Sequence, residues 1–260
     1  MTEREIEIIT PDGKSDAVLY VTEGGRRLPG IFFLTDIGGI RPSQREMAAR
    51  LAAEGYTVLM PNLFYRSGRP PLFDFPLKFG EEQTMQRIGQ LAASLTPEAF
   101  ERDASAYVDF LSSQASVGPG PMGIVGYCFS GGLAMRIAAG KPDRIAAAAS
   151  FHGGKLVTDD SASPHLLLPR IKAQLYFGHA VQDRSMPQEA IDKLNDALAA
   201  WGGQYESEVY DGASHGWTVP DNPSYNHQQA ERAFEKLKQL FKRALKDAYE
   251  FKTHIAPQSA

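Results

Sequence analysis

The sequence predicts an α/β fold: a mostly parallel sheet with helices on both faces and an antiparallel hairpin at its N-terminal edge. Two observations carry this. Short apolar runs alternate with amphipathic helical patterns along the chain, as expected where helices cross over between parallel strands. A strand-like run, a tight small-residue turn and a helix-like run also meet at Gly126-Tyr127-Cys128-Phe129-Ser130-Gly131-Gly132, the context of a nucleophile elbow. No composition break or internal repeat divides the chain, so residues 1–260 are expected to form one domain.

The elements follow in order. Glu5 to Ile9 and Ala17 to Val21 flank the turn Pro11-Asp12-Gly13 and read as the edge hairpin. Gly30 to Thr35 is a short apolar run rich in β-formers, a buried strand. Ser43-Gln44-Arg45-Glu46 has the form of a capping box opening a helix through Glu54. Tyr56 to Met60 is the next strand. Asn62 to Gly80 is long, rich in proline and aromatics and without periodicity, as functional or mobile loops are. Thr96-Pro97-Glu98 supplies an N-cap, a first-turn proline and an acidic partner for the helix dipole, starting a helix to about Ser112. Ile124 to Tyr127 is a strand, followed by the elbow helix. Ile145 to Phe151 and Ala173 to Phe177 are strands. The helix from Pro187 to Trp201 sets Ile191, Leu194, Leu198 and Trp201 on one face. Gln204 to Tyr210 is the last strand, and Ser224 to about Phe251 the last helix. Residues from about 253 read as a frayed tail.

Composition narrows the function. The net charge is −4, from 27 basic and 31 acidic residues with no basic run, so nothing marks a nucleic-acid partner. No apolar stretch reaches the roughly 20 residues of a membrane helix, and Met1 to Glu5 lacks the apolar core of a signal peptide. A single cysteine, Cys128, cannot form an internal disulfide and fits a reducing, cytoplasmic compartment. No metal spacing is visible, and no cofactor is implied. Gly118 to Gly123 fits G-x-G-x-x-G but precedes a strand and holds two prolines, failing the context of dinucleotide binding. Asn222-Pro223-Ser224 fails as a glycosylation site through its proline.

Ligands of open α/β sheets bind at the carboxyl ends of the strands. The reactive side chains just past strands are Asp36, Cys128, His152, Asp183 and His215. Nucleophile, acid and histidine then occur in the order Cys128, Asp183, His215, that of a hydrolase with this architecture. A thiol attacks as thiolate and needs a base or positive charge nearby. His215 would take its proton and later activate water, and Asp183 would fix the tautomer of His215. Two N–H donors must meet the oxyanion: Phe129, next to the nucleophile, and Ile37, in the loop after the Gly30 strand. His152 and His179 read as structural or rim residues, Ser130 as small enough for the turn, and His165, His227 and His254 as surface residues.

This constellation resembles the dienelactone hydrolase family of α/β-hydrolases. The resemblance rests on Gly126 to Gly132, on Thr35-Asp36-Ile37-Gly38-Gly39, on Gly178 to Asp183 with Met186-Pro187, and on His215-Gly216-Trp217. It implies a Cys–His–Asp triad at Cys128, His215 and Asp183, and a resting thiol paired with an acid in the oxyanion loop, here Asp36. It also implies hydrolysis of small carboxylic esters or lactones through an acyl-enzyme on Cys128. Family members that cleave dienelactones hold the substrate carboxylate with arginines, one just after the histidine. This chain reads Trp217-Thr218-Val219-Pro220 there, leaving Arg66 or Arg69 as substitutes by position. The alternative is a non-hydrolytic protein of the same fold, using Cys128 for redox sensing or ligand binding.

Overall fold

The strands that the sequence marks as unbroken apolar runs are covered on both faces, as parallel strands flanked by helices must be. In a computed structural model, describing residues 1–22, 24–78 and 80–246, eight strands form one sheet in the order β1-β2-β4-β3-β5-β6-β7-β8. β1 (Thr2–Thr10) and β2 (Gly13–Val21) make the antiparallel edge hairpin, and β2 joins β4 (Thr57–Pro61) antiparallel. From β4 through β3 (Gly30–Leu34), β5 (Met122–Tyr127), β6 (Ile145–Phe151), β7 (Gln174–Gln182) and β8 (Tyr205–Ser214), every pairing is parallel. β3, β4 and β5 are buried at every position.

One face packs on α1 (Pro42–Ala53) and α6 (His227–Phe241), with Phe33, Val58 and Trp217 in that core. The other packs on α3 (Pro97–Ser113), α4 (Ser130–Gly140) and α5 (Gln188–Trp201), with Phe32, Ile124 and Phe177. No helix among the described residues is long and apolar enough to cross a membrane.

Some boundaries differ from expectation. The capping box at Ser43 does not start α1. The N-cap is Arg41, with extended backbone and Pro42 after it, because proline's fixed φ and missing N–H suit the first helical position. The last helix is capped by the Asn226 side chain instead of starting at Ser224. It passes at Lys242–Lys246 into a π turn; its expected end at Phe251 and the expected tail from 253 lie outside the described residues. One α-helix was not anticipated, α2 (Glu82–Ala93), nor was the short 3-10 helix Pro164–Arg170. The spacing of Met85, Ile88, Leu91 and Ala92 is the signal that would have found α2. Residues 62–78 carry no regular element, as expected, but they are anchored. Phe64 and Leu72 are buried, and the Arg87 guanidinium of α2 donates to the carbonyls of Leu72 and Ser67.

Candidate active site

Register brings the reactive residues together in pairs. Tyr127 faces Phe151 at the ends of β5 and β6, so Cys128 and His152 leave the sheet side by side. Gln182 faces Ser214 at the ends of β7 and β8, so Asp183 and His215 do the same. The sequence placed 178–183 and 211–216 in loops. Residues 178–182 and 211–214 instead extend their strands, through an irregularity at Ala180/Gln182, so the acid and the histidine each follow directly on the last ladder pair, and the His215 N–H donates to the Gln182 carbonyl at 3.3 Å.

Cys128 occupies the elbow with φ of 59°, a left-handed conformation that is strained for a residue with a Cβ. Small neighbours permit it. A Cβ on Gly126 would lie 2.3 Å from the Ser130 carbonyl oxygen, and one on Gly131 would lie 2.1 Å from Ser150 Oγ. Ser130 does more than fit. Its buried Oγ accepts from the Tyr127 N–H at 2.8 Å and lies 3.0 Å from the Leu34 carbonyl oxygen, tying the elbow to the end of β3.

Cys128 Sγ lies 3.1 Å from His215 Nε2, and His215 Nδ1 lies 2.6 Å from Asp183 Oδ2. The other Asp183 oxygen accepts from the Ser185 N–H at 2.8 Å and from its hydroxyl at 2.6 Å. Nothing in the sequence pointed to Ser185 beyond its place two residues after the acid. Burial alone would push the Asp183 carboxyl up, but the bonds from His215 and Ser185 outweigh it and hold it below the usual range. Burial likewise disfavours a charged His215. Bonds to Asp183 and Cys128, with the negative charge on each, reverse that and push the imidazole up to about 10.

His152 lies against this chain as an internal brace. It is 1% exposed, and its Nδ1 accepts the Cys128 backbone N–H at 3.1 Å. Its Nε2 therefore carries the proton and donates to Thr218 Oγ1 at 2.8 Å. Burial, then the nearby His215 charge, holds it well below the ordinary histidine value, so it stays neutral. His179 is buried too, and burial lowers it to about 4.

The Ile37 and Phe129 residues flank Cys128 in one cavity, and among the described residues neither N–H donates to a protein acceptor. Asp36 departs from expectation. It does not meet the thiol. Its Oδ1 and Oδ2 take the Arg41 fork at 2.5 and 2.8 Å, and Oδ1 also accepts the Gly38 N–H at 2.9 Å. A guanidinium five residues on offers a bidentate match that a thiol cannot. Arg41 also grips Asp221 at 2.8 and 3.0 Å, clamping the Ile37 loop to the segment after His215. Arg66 and Arg69 also lie away from the sulfur. Arg66 bonds Asp12 and Asp103, and Arg69 pairs with Glu7 and Asp16.

A family model described as the dienelactone hydrolase family matches residues 16–245. The chain is similar to a protein of Escherichia coli (strain K12) that is provisionally named a carboxymethylenebutenolidase. Identity is 29% over 223 residues, covering 83% of this chain and 77% of the relative. To the carboxymethylenebutenolidase of Rhodococcus opacus it is 30% identical over 199 residues, covering 75% of this chain and 73% of the relative. A crystal structure from Klebsiella pneumoniae, provisionally named a dienelactone hydrolase, superposes with a TM-score of 0.81 at 20% identity, covering 92% of this chain and 98% of the other. At that identity the superposition speaks for the fold, while the family match covers most of the sequence. The chain belongs to the dienelactone hydrolase family, a family of hydrolases.

Proposed function

We propose that the protein cleaves carboxylic esters or lactones through a thioester on Cys128, with His215 and Asp183 as its partners. The observation that carries this reading is the unbroken contact from Sγ through the imidazole to a buried carboxylate. A cationic imidazole 3.1 Å from the sulfur is the setting in which a thiolate attacks. The thiolate bonds the acyl carbon, the negative charge moves to the carbonyl oxygen, and the Ile37 and Phe129 N–H groups receive it. When the carbon–oxygen bond breaks, the Nε2 proton goes to the departing alkoxide. Water then attacks the thioester, giving one proton to Nε2 and keeping the other on the acid, and the sulfur departs as thiolate, restoring the starting pair. Asp183 holds Nδ1 throughout. The names of the two carboxymethylenebutenolidase relatives support a lactone or ester as substrate, and a reducing compartment would keep Cys128 competent. The test is turnover of an aryl ester with a pre-steady-state burst equal to the enzyme concentration. Thiol labelling without turnover would favour the redox or ligand-binding alternative.

A further inference from the structure

The cavity in front of Cys128 has a volume of about 710 Å³, within the range that encloses whole small-molecule ligands. Ile37, Cys128 and Phe129 line its reactive end. Met85, Ile88 and Ala92 of α2 line one side, and Leu133 of α4 also borders it. α2 buries only Thr84 and Leu91, and Met85 is 51% exposed. Leu91 anchors the helix to packed core, whereas Met85, Ile88 and Ala92 are turned to a void and gain burial when an apolar group fills it.

The chemistry says which group that is. The sulfur bonds the acyl carbon, so whatever extends from the sulfur into this space is the acyl chain. His215 also borders a second cavity of about 870 Å³ that does not include Cys128, a path for the alcohol that receives its proton. Met85 to Ala92 spans eight residues of α2, seven steps and roughly 10 Å at the helical rise. An extended acyl chain of about eight carbons, with bonds near 1.5 Å, has a similar length.

We propose that the site selects esters whose acyl group is long or bulky and apolar, seated between α2 and Leu133. This takes Cys128 to be the acylated atom, as proposed above, and adds which half of the ester carries specificity.

Two measurements test it. In a p-nitrophenyl ester series from acetate to octanoate, kept below micelle formation, kcat/KM should rise about two- to fourfold per methylene, the transfer gain of a CH2 expressed as a rate. In Ala92→Trp, a substitution at an exposed position of α2, the octanoate-to-acetate ratio should fall at least tenfold. In Ile88→Ala the rise per methylene should flatten. A flat or falling series in the unmodified protein, or an unchanged ratio in Ala92→Trp, overturns the assignment. The second measurement needs no turnover: alkylation of Cys128 by N-methylmaleimide and N-octylmaleimide. Faster reaction of the octyl reagent, reversed in Ala92→Trp, upholds the cavity even if no ester is hydrolysed, in which case the proposed reaction fails alone. Equal rates for the two reagents overturn the cavity assignment whether or not esters are turned over.

Discussion

Asp183→Asn removes a charge and keeps the shape, and the structure says how it acts. Two Ser185 donors hold one Asp183 oxygen. In the variant they should hold the amide oxygen, which turns the amide NH2 toward His215 Nδ1. Nδ1 must then accept, and neutral His215 carries its proton on Nε2, facing the sulfur. An imidazole in that tautomer can take no proton from water at Nε2, so deacylation stops. The loss expected from a wrong tautomer is about 10⁴ in kcat, or roughly 5.5 kcal/mol. A second readout follows from charge. His215 titrates at about 10 instead of 6.5 through its bonds to Asp183 and Cys128, against the effect of burial. Acylation needs imidazolium to protonate the leaving group, so kcat/KM should persist in alkali and fall as pH rises through about 10. The same raised value adds stability that is complete below 6.5 and lost as pH rises through 10. In Asp183→Asn the alkaline limb should move to lower pH. The assay is kcat and kcat/KM on an alkyl acetate, whose departing alkoxide needs the proton, between pH 5 and 11. A variant within tenfold of the parent, or one whose alkaline limb stays put, would refute the reasoning.

Cys128→Ala should lose ester hydrolysis completely and keep its unfolding midpoint within a few degrees, since an exchange in the same turn conformation removes little packing; retained kcat would rule out the nucleophile. Thr218→Val should leave the His152 Nε2–H buried without its acceptor and cost about 1–3 kcal/mol in urea unfolding, with a smaller loss in kcat. Arg41→Ala should leave Asp36, 8% exposed at its side chain, without its countercharge and cost about 3 kcal/mol, with kcat/KM falling because Ile37 loses its clamp. Matched neutral and anionic esters should differ little in kcat/KM at low salt. Arg66 and Arg69 are committed elsewhere, and an anion preference abolished by Lys155→Ala at the cavity rim would contradict this.

The features legible in the sequence are those set by local pattern. Apolar runs marked the buried strands, and strand–turn–helix context marked Cys128. The order of Cys128, Asp183 and His215 anticipated contacts of 3.1 and 2.6 Å. What escaped depends on partners far along the chain. Asp36 looked free for the thiol because the pull on it comes from Arg41, itself fixed by Asp221, 180 residues away. His152 looked like a rim residue because nothing local says that β5 and β6 end in register, which is what turns its imidazole to the Cys128 N–H. α2 escaped because it follows a long aperiodic loop and most of its apolar stripe lines a cavity, with Leu91 its buried apolar residue.

In the proposed reaction, the state of His215 accounts for how one imidazole would serve two opposite steps. In the resting site the contributions that raise it come from Asp183 and from Cys128. Once the sulfur is acylated, it carries no charge and accepts no strong bond, so the Cys128 contributions vanish while burial and Asp183 stay. The imidazole then titrates lower, gives its proton to the leaving alcohol and is left neutral, the form a general base needs for water. On this proposal, covalent chemistry at the sulfur would reset the histidine without any movement of the backbone. His152 suits this cycle because it is neutral throughout: a second cation in edge contact with His215, 5.1 Å between centroids, would lower the imidazolium that the first step requires. The consequence is measurable. If deacylation limits turnover, kcat should rise with pH through a value well below the 10 at which kcat/KM falls, so the two profiles separate. If both followed a single ionisation near 10, the sulfur would not be what holds His215 charged.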